Sequence, residues 1–275
     1  VIRDKFLRQQ RRPNIPPPVT YAVATETTSP KFAKAFAQGC GGPICGIGAY
    51  HKPLLGPGGF AGFCTPATWP LLDQAIADNR PYYYGDHAYW GRGKSYRIAR
   101  NAVQYQPTAA ALARATPTRF RRLGVSLAPD WQTNGNSIVI CPNSAVYMAR
   151  FGIDAREWVL DVVRQVARVS DRPIVVRQKS MNGRRPLYLD LHDAWAVVVF
   201  SSNAAVEALA AGIPVFVLAP WASTATSGKS HLTEIETPYY PAIAQRDRLL
   251  WCLAEHQWTL AEIAAGIAWR TLHAD

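Results

Sequence analysis

The segment Ala196–Val217 leaves this chain the least freedom. It reads Ala196-Val-Val-Val-Phe200, Ser201-Ser202-Asn203, Ala204–Ala211, Gly212-Ile213-Pro214 and Val215-Phe216-Val217. A continuous apolar, β-branched run is the pattern of a strand buried on both faces, as in parallel sheets covered by helices. Small hydroxyl residues follow at the strand's C-terminal end, where ligands bind in open α/β sheets. The helix begins at once, so its free N–H groups and the positive end of its dipole face the same point. Gly212 is placed to end the helix in the left-handed conformation, and Pro214 prevents its continuation. The pattern predicts a strand–loop–helix–strand unit whose loop Ser201, Ser202 and Asn203 binds phosphate. In the plainer alternative the triplet only caps a packing helix.

A second anion-selective element lies upstream. The strand Ile174–Val176 delivers Arg177 and Lys179 at its C-terminal end, and alternation puts both on one side. Two cations converging with a helix N-terminus suit a diphosphate. Ser144, just after the strand Ser137–Cys141, joins this candidate set. Glu207 does too, one turn into the helix on a face that can reach back towards the ligand.

Strand and helix patterns alternate along the rest of the chain, which predicts an α/β protein with mostly parallel sheets. Val19–Thr25, Ile44–Ala49 and Pro81–Gly85 read as strands, and Pro30–Gln38 and Trp69–Asn79 as helices. A length of 275 residues suits one large or two medium domains, and 48% hydrophobic content can bury real cores. Pro117, Pro129 and Gly135 punctuate the pattern and put a boundary near residues 115–135. The expected organisation is an arm over 1–18, an N-terminal domain over 19–125, a C-terminal domain over 126–255 and a closing helical segment over 256–275.

Charge narrows the partners. Only 18% of residues are charged, yet the net charge is +11, so acids are scarce. Residues 87–129 contain no Asp or Glu, and carry Arg92, Lys94, Arg97, Arg100, Arg114, Arg119, Arg121 and Arg122. A solvated face would mix signs, so this stretch reads as an anion-facing surface. The arm adds Arg3, Lys5, Arg8, Arg11 and Arg12. The 5 cysteines are scattered and odd in number, which argues for a reducing cytoplasm and against a disulfide framework or zinc site. No apolar run reaches membrane-spanning length.

Taken together, the blocks YGDHAYWGRG, DRPIVVRQK, DAWAVVVFSSNAAVEALAAGIPVF and HQWTLAEIAAGIAW resemble GT-B glycosyltransferases, and phage-encoded DNA-modifying ones most nearly. The resemblance implies two Rossmann-like domains, with the acceptor on the first and a nucleotide-sugar, a UDP-sugar by preference, on the second. It implies that Ser201, Ser202 and Asn203 hold donor phosphate, that Glu207 meets ribose or sugar hydroxyls, and that Arg177 and Lys179 neutralise the leaving diphosphate. Leu260–Trp269 is then a candidate for the helix that returns to the first domain. No metal and no cofactor beyond the nucleotide-sugar co-substrate are expected.

Sugar transfer needs a base for the acceptor hydroxyl's proton and positive charge at the leaving phosphate. The strand Pro81–Gly85 ends in Asp86 and His87, with Gly85 to let the backbone turn. Asp86 is the first candidate base, with His87 as its orienting partner or substitute, and Glu26 the next candidate. The basic stretch adjoins Asp86, so Arg92, Lys94, Arg97, Arg100, Arg119, Arg121 and Arg122 would grip DNA, and the acceptor would be a 5-hydroxymethylpyrimidine in phage DNA. On this reading the protein works in the cytoplasm of an infected bacterium, without integral membrane association. Transfer to a surface or lipid-linked saccharide is the alternative, as is a non-catalytic GT-B-like nucleotide or nucleic-acid binder.

Overall fold

The computed structural model describes residues 15–47, 56–177 and 186–274. It divides into two compact units, residues 1–102 with 256–275, and residues 103–255. The first opens with β1 (Val19–Val23), α1 (Ser29–Cys40), β2 (Ile44–Ile47), β3 (Phe60–Phe63), α2 (Trp69–Ala77), β4 (Tyr82–His87) and β5 (Ser95–Arg100). The second holds α3 (Ala109–Arg114), α4 (Pro117–Arg122), β6 (Ser137–Cys141), α5 (Ala145–Ala149), α6 (Ala155–Ala167) and β7 (Ile174–Val176). It continues with α7 (Leu187–Leu191), β8 (Ala194–Val199), α8 (Ala204–Ala210), β9 (Val215–Val217) and α9 (Ile243–Glu255). The chain then returns to the first unit with β10 (Gln257–Thr259), α10 (Leu260–Ala264) and α11 (Ile267–Thr271).

The first unit's sheet has strand order β10-β5-β4-β3-β1-β2. Strands β1 to β4 run parallel, while β5 is antiparallel to β4 and β10 antiparallel to β5. Its core gathers Phe32 and Phe36 of α1, Tyr83 of β4, Trp258 of β10 and Trp269 of α11. Gly85 serves this packing rather than the turn expected of it. A Cβ there would meet the Phe32 ring at 2.4 Å, so the missing side chain lets the ring lie flat on β4.

The second unit's sheet, β7-β6-β8-β9, is parallel throughout. Ala196, Val197, Val198 and Val199 are each 0% exposed, the two-sided burial that their unbroken apolar run demands. Gly212 takes φ 76°, and a Cβ on it would strike the Asp130 carbonyl oxygen at 2.4 Å. Residues 103–125, placed with the N-terminal domain on sequence, group instead with this second unit. Ala111 and Ala115 bury against Cys252 of α9, and Thr116 N–H donates to Glu255 Oε1 at 3.1 Å. Of the prolines that suggested a boundary, Pro117 opens α4 and Pro129 lies in a bend, both inside the unit. No helix among the described residues is long and apolar enough to cross a membrane.

Candidate functional site

A parallel sheet brings the C-terminal ends of its strands to one edge. In the second unit that edge carries Arg177 after β7, Asn143 and Ser144 after β6, Ser201–Asn203 after β8, and the loop that follows β9. Arg177 is fixed by continuing the ladder, its N–H donating to Ile140 O at 2.8 Å. Its guanidinium pairs with Asp190 of α7, the two side chains being 20% and 11% exposed. Glu207 is near enough for Arg177 to pull its carboxyl pKa down, but crowding by surrounding chain outweighs this and raises it. The Glu207 surface is nonetheless open to solvent, which describes a carboxyl in a recess rather than one sealed in the core. Arg177 therefore faces two carboxylates, and its charge is largely answered from within the unit. Lys179 lies outside the described residues.

The Ser-Ser-Asn loop is organised differently from the expectation. Ser201 is 3% exposed and turns inward. Its N–H donates to Asn143 Oδ1 at 3.0 Å and its hydroxyl to Tyr147 Oη at 3.2 Å, so it ties the loops after β6 and β8 together. Ser202 stands just before Asn203, the N-cap of the short helix α8, its Oγ accepting from Ala204 N–H at 3.3 Å. Ser144 caps α5, its Oγ accepting from Tyr147 N–H at 3.4 Å. A hydroxyl that accepts through a lone pair keeps its own proton to donate. Ser144, Ser202 and Tyr147, all half-buried, thus offer O–H donors at one edge. Sequence reasoning missed Tyr147, whose only signal is its place three residues after the capping Ser144.

With Arg177 paired to Asp190, hydroxyls and amides are the donors this edge presents. Cys141, at the end of β6, is 3% exposed. Burial pushes its thiol up to about 12, with Arg177 acting against the shift and Asp190 and Glu207 adding to it. The loop after β9 supplies an aromatic wall. Trp221 stacks on Phe151 with centroids 5.0 Å apart and meets Phe200 edge-on at 5.6 Å.

In the first unit the corresponding edge carries Glu26, in the turn after β1, and Asp86 with His87 at the end of β4. Strand β3 lies between β1 and β4, which separates those two strands by about 10 Å. His87 meets Asp86 through its backbone, its N–H donating to Asp86 Oδ1 at 2.6 Å. The imidazole instead packs edge-on to Phe63 at 5.1 Å and over Tyr96 at 6.3 Å. The side chain that orients Asp86 is Arg97, directly opposite it in the β4–β5 register. Arg97 Nη2 lies 2.5 Å from Asp86 Oδ2, and Arg97 Nε donates to His87 O at 3.1 Å.

The basic stretch 87–129 is divided between the two units. Arg92, Lys94, Arg97 and Arg100 belong to the first unit, and Arg119, Arg121 and Arg122 to the second. Arg97 is 6% exposed and points into the sheet edge. Arg100 Nη1 lies 3.5 Å from the Leu272 carbonyl, and Arg119 Nε donates to Ala254 O at 2.9 Å. Arg92, Lys94, Arg121 and Arg122 stand exposed.

No protein-family model and no curated protein matches this chain. Among solved structures it is similar to KpsC of Thermosulfurimonas dismutans, a beta Kdo 2,4 transferase. The TM-score is 0.50 at 11% identity, covering 88% of this chain and 92% of that one. A second KpsC structure from that organism, a beta Kdo 2,7 transferase, aligns with a TM-score of 0.46 at 13% identity, over 92% of this chain and 99% of that one. With two largely parallel sheets in two units, the first likeness gives this chain a two-domain, Rossmann-like α/β fold, the fold of that transferase.

Proposed function

We propose that this protein is a glycosyltransferase that takes a sugar from a nucleotide-sugar and passes it to a hydroxyl acceptor. The observation that carries the reading is the hydroxyl cluster Ser144, Tyr147 and Ser202 at the C-terminal edge of an all-parallel sheet. Neutral donors that hold their geometry before the ligand arrives stabilise charge developing on a leaving phosphate. Asn203 and Arg177 border the cluster, with Lys179 close by in sequence. Glu207, a carboxyl in a recess, suits ribose or sugar hydroxyls. Asp86 is the proposed base, held in place by Arg97, and Glu26 is the second candidate.

The acceptor we favour is a saccharide hydroxyl. Arg97, Arg100 and Arg119 are engaged by groups within their own units, which weakens the argument for a duplex-gripping face. The similar fold named above is that of a beta Kdo 2,4 transferase, which supports this choice. The test is incubation with a panel of nucleotide-sugars, UDP-sugars first, together with either an oligosaccharide pool or hydroxymethylated DNA. Mass spectrometry of the products reads the mass of one added sugar. Addition to saccharide supports the reading, and addition to nucleosides moves the acceptor to DNA. Failure of every nucleotide-sugar to bind or raise the melting midpoint overturns the enzyme reading itself.

A further inference from the structure

The chain enters the second unit along the extended segment Val103–Gln106, and its side chains alternate in what they hold. Gln104 is 3% exposed. Its Nε2 donates to Ser201 O at 2.8 Å, and its Oε1 accepts from Ser223 N–H at 3.0 Å. Gln106 Nε2 donates to Pro220 O at 2.7 Å. Tyr105, between them, turns the other way, its Oη 3.8 Å from Cys252 Sγ of α9. One buried amide thus bridges the loop after β8 to the loop after β9, using both its donor and its acceptor. A second glutamine pins the β9 loop one residue before Trp221.

These two loops are the two sides of the proposed donor site. The β8 loop brings Ser202 and Asn203, and the β9 loop brings the Trp221 ring stacked on Phe151. The strands beneath are adjacent, with Val197 opposite Val215 and Val199 opposite Val217. The strand ladder continues only to Ala219, whose N–H donates to Phe200 O at 2.9 Å. Beyond that point the separation of the loops is set by side chains, and Gln104 supplies the direct bridge. A buried primary amide satisfying one N–H and one C=O from different loops fixes their spacing in a way that an apolar filler cannot.

We infer that Gln104 is a positioning residue for nucleotide binding, and that it sets the gap between a polar wall at Ser202 and Asn203 and an aromatic wall at Trp221. The ligand class this frame fits is a nucleoside phosphate, with phosphate on the hydroxyl side and the flat base against the indole. The inference rests on the donor reading of the previous subsection. Gln104 touches the loops and not the ligand, so its loss acts on the pre-formed shape of the site.

The experiment is calorimetric titration of the whole chain with UDP, CDP, GDP and ADP, followed by the best-binding nucleotide against variants. Gln104→Ala removes the bridge. Val162→Ala, in the core beneath β6, serves as a control for general loss of stability. Tyr105→Phe changes the same segment on its opposite side. The expected result is an affinity loss of tenfold or more for Gln104→Ala and less than twofold for both controls. Trp221→Ala should lose affinity and also flatten the preference among bases. If Gln104→Ala melts as low as Val162→Ala but binds like wild type, the residue is structural only and the inference fails. If Gln104→Ala does not fold, Gln106→Ala at the exposed end of the segment replaces it, with an expected loss of about threefold, and unchanged affinity there overturns the inference. If wild type binds none of the four nucleotides, the donor reading falls first and the positioning role with it, an outcome that the wild-type titration alone reveals.

Discussion

The Asp86–Arg97 pair makes an unequal prediction for its two halves. The Arg97 side chain is 7% exposed and that of Asp86 29%. Removing Asp86 strips a buried guanidinium of its carboxylate, whereas removing Arg97 leaves a carboxylate that water can reach. Breaking a buried pair by deleting one partner costs about 3–5 kcal/mol, because an uncompensated charge stays behind. Asp86→Ala falls in the lower part of that range, at about 3 kcal/mol, since Arg97 keeps its bond to the His87 carbonyl. Arg97→Met keeps an unbranched stem beside Tyr89 and costs about 1–2 kcal/mol, with hydration of Asp86 offsetting part of the loss. The double variant should be less damaged than the sum of the two by about 1 kcal/mol or more. Native-state hydrogen exchange of amides in β4 and β5 reads this within the first unit. A loss of 3 kcal/mol speeds exchange by about a hundredfold. Arg97→Met as destabilising as Asp86→Ala would falsify the argument from exposure. A further variant, Asp86→Asn, separates stability from chemistry, since the proposed base is lost there even where the fold survives.

Three further outcomes follow from the geometry. Gly85→Ala should lower the melting midpoint through a cost of about 1–3 kcal/mol. Its Cβ would sit 2.4 Å from the Phe32 ring, and a shortened Phe32→Leu background should relieve part of that cost. His273 is held below its ordinary value of 6.5, first by burial and then by Arg100, with the Trp269 carbonyl acting in the opposite sense. The unfolded chain therefore takes up the proton first. The stability His273 lends is fully present above pH 6.5 and drains away as pH falls towards the lower folded value. Melting curves of wild type and His273→Gln should converge between pH 7 and pH 5, and parallel curves would refute the assignment. Cys141, 3% exposed and with its thiol pushed up to about 12, should resist maleimide at pH 8 in the folded protein. The half-buried Cys64 should react, and equal rates for the two would contradict the burial.

What the sequence made legible is the part in which one local pattern has one physical outcome. The run Ala196–Val199 has no position that tolerates water, so it had to be a two-sided strand. Gly212 and Pro214 could only close a helix and start the next strand. Less legible were β3 and β5. Phe60–Phe63 is short, contains a glycine and follows a Gly-Pro-rich stretch, so no alternation shows. Ser95–Arg100 carries two arginines, which read as surface until Arg97 is seen to turn towards Asp86. Strand β10 hides between two helices as three residues, and Trp258 at 1% exposure betrays its role only through its packing.

The candidate site shows why charge is harder to read than apolarity. Apolar burial is a property of a residue and its near neighbours in sequence, whereas neutralisation depends on a partner that the fold chooses. The acid-free stretch begins at residue 87, one position after the carboxylate that answers Arg97. A hairpin makes residues 86 and 97 direct neighbours, so a charge count that stops at 87 finds a surplus where the structure has a pair. Arg177 repeats the lesson at longer range, because its carboxylate is Asp190, thirteen residues on across a crossover. Once those cations are paired, the edge of the second unit is left with hydroxyls whose lone pairs are already used and whose protons are not. Ser144, Tyr147 and Ser202 are in that condition because Ser144 caps a helix, Ser202 accepts from the first N–H of another, and Ser201 donates to the tyrosine. The capping role and the ligand-binding role, which stand as alternatives when the sequence is read alone, are compatible in the structure: a hydroxyl that caps through its oxygen still has a proton to give to a phosphate.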